Sequence, residues 1–202
     1  MNLKDTYNKI ARDWFKDHND DTWWIERTDK LISLLPPHAK VLDIGCGAGH
    51  KSAYFAGKGF EVVGGDFSEE MIKIAREQVP GAEFKVLDLY ELDTLTEKFD
   101  CVFAQAVFLH IPKKDVLGIF RKVKEILREG GLFYIAVKEA REGSPDEAVL
   151  TENGYGYEYQ RFFSYFSAAE IHEYLSEAGF EVVDSGVTDV GHTRWVQVIA
   201  KL

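Results

Sequence analysis

An acid followed by glycines at every second position, Asp43-Ile44-Gly45-Cys46-Gly47-Ala48-Gly49, is the stretch of this chain best suited to holding a ligand. Glycines let the backbone turn sharply and approach a ligand where a Cβ would collide. A helix starting just after them aims free N–H groups at that ligand. Asp66 lies 23 positions beyond Asp43, at the end of Gly64-Gly65-Asp66. Its carboxylate can accept two hydrogen bonds side by side, which suits a ribose diol; it can equally act as the anion at a helix start, since Ser68 follows. His110, in Leu109-His110-Ile111-Pro112, carries an imidazole that titrates near neutrality. It can act as a base toward a substrate or orient its loop by a hydrogen bond. Between Glu139 and Phe163 the chain concentrates Arg141, Tyr155, Tyr157, Tyr159, Arg161 and Phe162. Such aromatic density suits a cover that excludes water. Arg161 can bind a substrate carboxylate or pair with a neighbouring glutamate, and His192 and Arg194 can reach a substrate or stay solvated.

These residues need a scaffold, and the apolar periodicity supplies one. Tyr7, Ile10, Ala11, Trp14 and Phe15 follow helical spacing. Trp24, Ile25, Leu31, Ile32 and Leu35 suggest a second helix, stopped by Pro36-Pro37. Strands are expected at Lys40–Ile44, Glu61–Asp66, Phe84–Leu87, Phe99–Gln105 and Leu132–Val137. Helices fall between them: His50–Ala56, one capped by Ser68, and one through Val116, Ile119, Phe120, Val123 and Leu127 closed by Gly130-Gly131. A loop of about 25 residues runs from Glu139 to Phe163, long enough to be functional or mobile. Ser167-Ala168-Ala169-Glu170 then reads as a capping box, and Gly179 ends the helix it opens. Two last strands, Phe180–Val187 and Arg194–Lys201, can pair as a hairpin. The alternation predicts a three-layer α/β architecture whose ligand lies outside the carboxyl ends of the strands.

Asp43 to Gly49 resembles motif I of the class I S-adenosylmethionine-dependent methyltransferases, and later motifs of that family follow in order over nearly the whole chain. The resemblance implies a Rossmann-like fold with a seven-stranded, mostly parallel sheet and a C-terminal antiparallel hairpin. It implies Asp43 facing the methionine amino group, the backbone of Gly45, Cys46 and Gly47 passing the methionine and ribose, and Asp66 on the ribose. Phe67 and Met71 would cover the adenine, Asp88 and Leu89 would meet its edge, and Gln105 and Ala106 would border the methionine. The opening Tyr7-x-x-Ile10-Ala11-x-x-Trp14 resembles the family's N-terminal helix that closes over the cofactor, placing Tyr7 and Trp14 near it. An aromatic face beside a sulfonium is favourable. The implied activity is methyl transfer to a small-molecule acceptor, with S-adenosylhomocysteine as product. His110 and Glu139 are the candidate bases, and Tyr157, Arg161 and His192 the candidate substrate contacts. Gly65 departs from the apolar residue usual in the family, and the strand ending at Gln105 lacks the Asn-Pro-Pro-Tyr type of motif that marks methylation of planar amino groups.

Length and charge fit these expectations. The 202 residues suffice for one domain with a substantial core, with residues 1–36 as a helical cap and 139–166 as a cover over the substrate. A net charge of −10 argues against a broad nucleic-acid or anionic-membrane surface. No apolar run approaches the roughly 18 residues of a membrane span, and no apolar leader opens the chain. Cys46 and Cys101 belong to no metal-ligand pattern, so no metal is expected and a reducing, cytoplasmic setting is. Two competing functions stay open. A dinucleotide-binding oxidoreductase would need a third glycine where His50 stands, and a catalytically silent cofactor-binding module would carry the same motifs. Oligomeric state is not readable from the chain.

Overall fold

The computed structural model describes residues 2–18, 21–143 and 145–202. Met1, Asn19, Asp20 and Ser144, which fall within the expected cap and cover, lie outside them. In chain order the elements are α1 (Leu3–Asp17), α2 (Ile25–Ile32), β1 (Lys40–Ile44), α3 (His50–Gly57), β2 (Glu61–Asp66), α4 (Glu69–Gln78), β3 (Glu83–Val86), β4 (Phe99–Gln105), α5 (Lys113–Ile126), β5 (Leu127–Lys138), β6 (Glu147–Glu152), β7 (Tyr159–Ser164), α6 (Ala168–Ala178), β8 (Glu181–Val190) and β9 (Thr193–Lys201). Seven strands form one sheet in the order β3-β2-β1-β4-β5-β9-β8. The first five are parallel, and β9 runs antiparallel between β5 and β8. The strand order reverses between β1 and β4, where sheets of this kind leave a crevice for a ligand.

Both faces of the sheet are covered, which is why β4 reads as an almost unbroken apolar run. Leu42, Ile44, Val102 and Ala104 pack toward α5 and α6 with Phe120, Val123 and Leu175, whereas Val41, Cys101 and Phe103 pack toward α2 and α3 with Leu31 and Phe55. Ser68 caps α4, its hydroxyl accepting from the Met71 N–H at 3.2 Å. The capping box of α6 forms in full, and Gly179 ends that helix at φ +87°.

The structure departs from the expected elements in several places, among them β8, which starts at Glu181 and runs on to Val190 rather than ending at Val187. Helix α2 stops at Ile32, leaving Leu35 beyond it, ahead of Pro36. Strand β3 spans Glu83–Val86, one residue early, although the Leu87 N–H still reaches the Asp66 carbonyl at 2.9 Å. Helix α5 ends at Ile126 rather than at the glycine pair, because Leu127 is already extended and pairs with Phe99; Gly130, at φ +73°, sits in a bulge before the main register resumes at Leu132. The expected long loop is largely an antiparallel ribbon, β6 paired with β7. Every residue of β6 is partly or fully exposed, so no apolar alternation marks it as a strand.

Candidate active site

The glycine loop after β1 is fastened from below. The N–H groups of Gly45 and Cys46 both donate to the Gly65 carbonyl, at 2.7 and 3.1 Å. A side chain at Gly65 would collide with Leu87, 2.9 Å from the position of a Cβ. That packing accounts for the glycine where an apolar residue was expected. Asp66 closes the arrangement from β2: one carboxylate oxygen accepts from the Gly47 N–H at 3.0 Å, the other from the Ser68 N–H at 2.9 Å. Burial pushes the Asp66 carboxyl up to about 6, against the pull of the Ser68 and Gly47 N–H groups. Asp43 is buried below the loop and accepts from the Ser52 hydroxyl at 2.6 Å. Burial pushes it up to about 7, opposed by that hydroxyl and by Lys51.

These groups open onto a cavity of about 300 Å³ at the carboxyl ends of β1, β2, β4 and β5. Helix α1 covers one side, bringing Tyr7 and Trp14 into the wall, and α4 contributes Met71 beside Phe67. Ala106, at φ +57° after β4, holds a left-handed conformation that is uncommon for a residue with a Cβ and concentrates at functional sites. Gln105, 7% exposed, lines the same wall. Its amide faces the Tyr134 hydroxyl at 3.0 Å, and one amide atom has no protein partner. Tyr134 also faces Gln197 at 2.8 Å, whose other amide atom meets the Thr188 hydroxyl at 2.6 Å.

His110 is fixed at both nitrogens. Its Nδ1 lies 2.7 Å from the Phe162 carbonyl, which can only accept, so Nδ1 carries the proton. Its Nε2 then accepts from the Tyr7 hydroxyl at 2.7 Å. Burial drives the imidazole down to about 3, with Arg161 and Lys138 pushing the same way against the Phe162 bond, so it is neutral near pH 7. The β6–β7 ribbon is thereby tied to α1, and further contacts add to the tie. Thr6 Oγ1 donates to the Gln160 carbonyl at 3.0 Å, and Lys9 Nζ to the Glu158 carbonyl at 3.0 Å.

Of the residues singled out in the sequence, Tyr7, Trp14, Asp43, Gly45, Cys46 and Gly47 line the cavity, as do Asp66, Phe67, Met71, Gln105, Ala106, His110 and Arg161. Five lie outside its wall. Asp88 caps the short helical turn Leu89–Thr94, accepting from the Tyr90 N–H at 3.0 Å, and Leu89 points into the core. Glu139 pairs with Arg194 at 2.8 Å. Tyr157 donates to Asp13 at 2.8 Å on α1. His192 sits in the turn between β8 and β9, whose flanking residues Val190 and Thr193 reach the wall instead. Arg161 closes its fork on Glu152, with nitrogen–oxygen distances of 2.5 and 2.6 Å. Phe163, from the aromatic stretch read in the sequence, also lines the cavity, and the wall holds residues that spacing alone did not single out: Lys51, Trp23, Trp195 and Lys138. Lys138 ends an apolar strand, where a lone lysine reads as a solvated edge.

Residues 17–185 match the family model described as a methyltransferase domain. The chain belongs to the class I S-adenosylmethionine-dependent methyltransferases. The chain is 32% identical over 171 residues to phosphoethanolamine N-methyltransferase 3 of Arabidopsis thaliana, a match covering 80% of this chain and 33% of that protein. It is 34% identical over 124 residues to the putative methyltransferase YqeM of Bacillus subtilis (strain 168), covering 58% and 48%. The chain thus spans a third to a half of the length of these two relatives. Among solved structures it resembles Burkholderia thailandensis 1,6-didemethyltoxoflavin-N1-methyltransferase with bound 1,6-didemethyltoxoflavin and S-adenosylhomocysteine. The TM-score is 0.79 at 22% identity, covering 98% of this chain and 86% of that one, a likeness of fold. The residues present fit the family's cofactor: two buried carboxylates flank a backbone loop free of side-chain bulk, and an unpartnered amide atom stands beside them.

Proposed function

We propose that the methyltransferase binds S-adenosylmethionine between α1 and the glycine loop and passes its methyl group to a small-molecule acceptor. The observation that carries this reading is the alignment of Asp66, the glycine loop and Gln105 along three adjacent strand ends, β2, β1 and β4. At about 4.8 Å per strand they span about 10 Å, the reach of a nucleoside with a short side chain. Asp66 offers its remaining lone pairs to the ribose hydroxyls, with Phe67 and Met71 against the base. Asp43 faces the methionine ammonium, and Gln105 and Ala106 border the methionine. When bound, the cofactor supplies an activated sulfonium methyl group open to in-line attack. The chain's part is to position the acceptor and exclude water. His110, neutral and bonded at both nitrogens, serves as a positioning residue for Tyr7 and the ribbon. Residues 1–36 act as a cap and 139–166 as a lid, joined through that histidine.

The relatives named above act, by their names, on phosphoethanolamine and on 1,6-didemethyltoxoflavin, which supports a small acceptor without choosing one. A net charge of −10 favours no nucleic-acid partner. No helix among the described residues is long and apolar enough to cross a membrane, and two buried free cysteines, Cys46 and Cys101, fit a cytoplasmic setting.

Calorimetric titration with S-adenosylhomocysteine and with NAD tests the cofactor: the first binds and the second does not, and a preference for NAD would overturn the reading. Transfer of labelled methyl to a pool of small metabolites distinguishes an enzyme from a silent binding module. Binding also moves protons. With Asp43 titrating at about 7 in the free protein, the ligand's ammonium drives off about half a proton at pH 7. Calorimetry in two buffers of different ionisation enthalpy reads this release, and D43N abolishes it. The stability of the free protein has the opposite sign of dependence. Carboxyls raised above the ordinary 3.8 contribute stability that is fully present below that value and lost as pH rises through about 6 to 7. Replacing His110 by Phe separates α1 from the ribbon, so S-adenosylhomocysteine dissociates several-fold faster in stopped-flow fluorescence. An unchanged off-rate refutes the latch.

A further inference from the structure

Three cations stand in the cavity wall. Arg161 is held by the Glu152 fork. Lys51 and Lys138 have no carboxylate within 4.0 Å among the described residues: Lys51, beside the glycine loop, lies in the field of Asp43 and Asp21 and 5.2 Å over the Trp24 ring, whereas Lys138 stands at the other end of the cavity with its Nζ 4.2 Å above the Phe163 ring. Its burial lowers it to about 8, with Arg161 and Arg141 acting in the same direction and Glu152 against. A partly buried ammonium with an aromatic face against it and no carboxylate in contact is a costly arrangement unless an anion joins it.

Its place in the sheet says which ligand that anion belongs to. Lys138 is the last residue of β5, on the far side of β4 from the glycine loop. In register, Gln105 pairs with Ala136, so Lys138 extends two residues beyond the strand end that borders the methionine. From β2 to β5 is three strand spacings, about 14 Å, past the stretch assigned to the cofactor. The neighbouring wall is apolar. Trp23 and Trp195 stack with centroids 4.5 Å apart, and Leu109 lines the cavity beside them.

We propose that Lys138 receives the anionic group, a carboxylate or a phosphate, of the methyl acceptor, which makes that acceptor a small organic acid whose apolar body lies against Trp23 and Trp195. This rests on the cofactor reading above. The placement separates the two ligands: carboxylates serve the cofactor end, and an unpaired cation serves the acceptor end.

The test uses the full chain saturated with S-adenosylhomocysteine, titrated with benzoate and phenyl phosphate as anionic probes and with benzamide and phenol as neutral counterparts. The wild type binds at least one anion tenfold more tightly than its neutral counterpart, and the stronger probe tells carboxylate from phosphate. K138M removes that preference while S-adenosylhomocysteine affinity stays within twofold, which also shows that the variant is folded. K138R restores the preference. Equal binding of anionic and neutral probes to the wild type, or anion binding retained in K138M, overturns the proposal. A loss of S-adenosylhomocysteine affinity in K138M also overturns it, since Lys138 would then serve the cofactor. Failure of the wild type to bind S-adenosylhomocysteine at all is a failure of the cofactor reading instead.

Discussion

Replacing Asp66 by Asn lowers the affinity for S-adenosylhomocysteine by ~10- to 100-fold, about 1.4–2.8 kcal/mol. The side chain keeps its size and loses its purpose. Its two oxygens accept from the Gly47 and Ser68 N–H groups, and both bonds are buried. An amide has one acceptor oxygen, so one of those N–H groups must face an NH₂. The loop or the cap of α4 then shifts, and a ribose meets fewer lone pairs and no charge to strengthen its bonds. Calorimetry on a variant shown to be folded by circular dichroism measures the loss, and unchanged affinity would remove Asp66 from the site. The wild type carries the same dependence in its pH profile: as Asp66 takes up a proton below about pH 6, affinity falls.

Replacing Gly45 by Ala destabilises the protein by ~3 kcal/mol, the sum of two effects. The residue sits at φ +67°, where a Cβ costs ~1–2 kcal/mol. That Cβ would also stand 2.5 Å from Val107 Cγ2 and 2.6 Å from its Cβ, and the latter cannot swing away. In a protein of this size the melting temperature falls by roughly 6–12 °C. The double variant G45A/V107A relieves only the contact with Val107 Cγ2 and keeps both the Cβ–Cβ clash and the conformational part, so it recovers a minor share of the loss. A melting temperature within 2 °C of wild type in G45A alone would show that the loop yields freely, contrary to its two bonds to the Gly65 carbonyl.

The contrast between these two positions shows what the chain made legible. Strands β1, β2 and β4 could be bounded from the sequence to the residue, because each is an apolar run ending in a polar or glycine signal at a buried strand end. The glycine loop and Asp66 could be read because few residue types permit that backbone and that pairing. The ribbon could not, since β7 and the turn before it rest on α1 and the loop after β4 through backbone carbonyls and single side chains such as Thr6, Lys9 and His110, and β6 pairs with β7 alone. Those contacts have no period. Asp88 and Glu139 illustrate a second limit: an acid after a strand is equally suited to a turn or an ion pair, and here each found one. Lys138 and the Trp23–Trp195 pair come from three separate segments, so only the folded chain brings them to one wall.

The buried Tyr134 hydroxyl has one proton and two glutamines facing it, and this makes the sheet directional. If Gln105 presents its carbonyl to Tyr134, its NH₂ is left for the cavity, Gln197 must turn its NH₂ to the tyrosine, and Thr188 must donate to the carbonyl that results. If Gln105 presents its NH₂, every arrow in the chain reverses, and the cavity meets a carbonyl. Two polarities of the same relay are therefore available, and they differ in which buried atom of Gln105 is left without a protein partner. The choice is recorded three residues along the relay, in the orientation of the Thr188 hydroxyl on the edge strand β8.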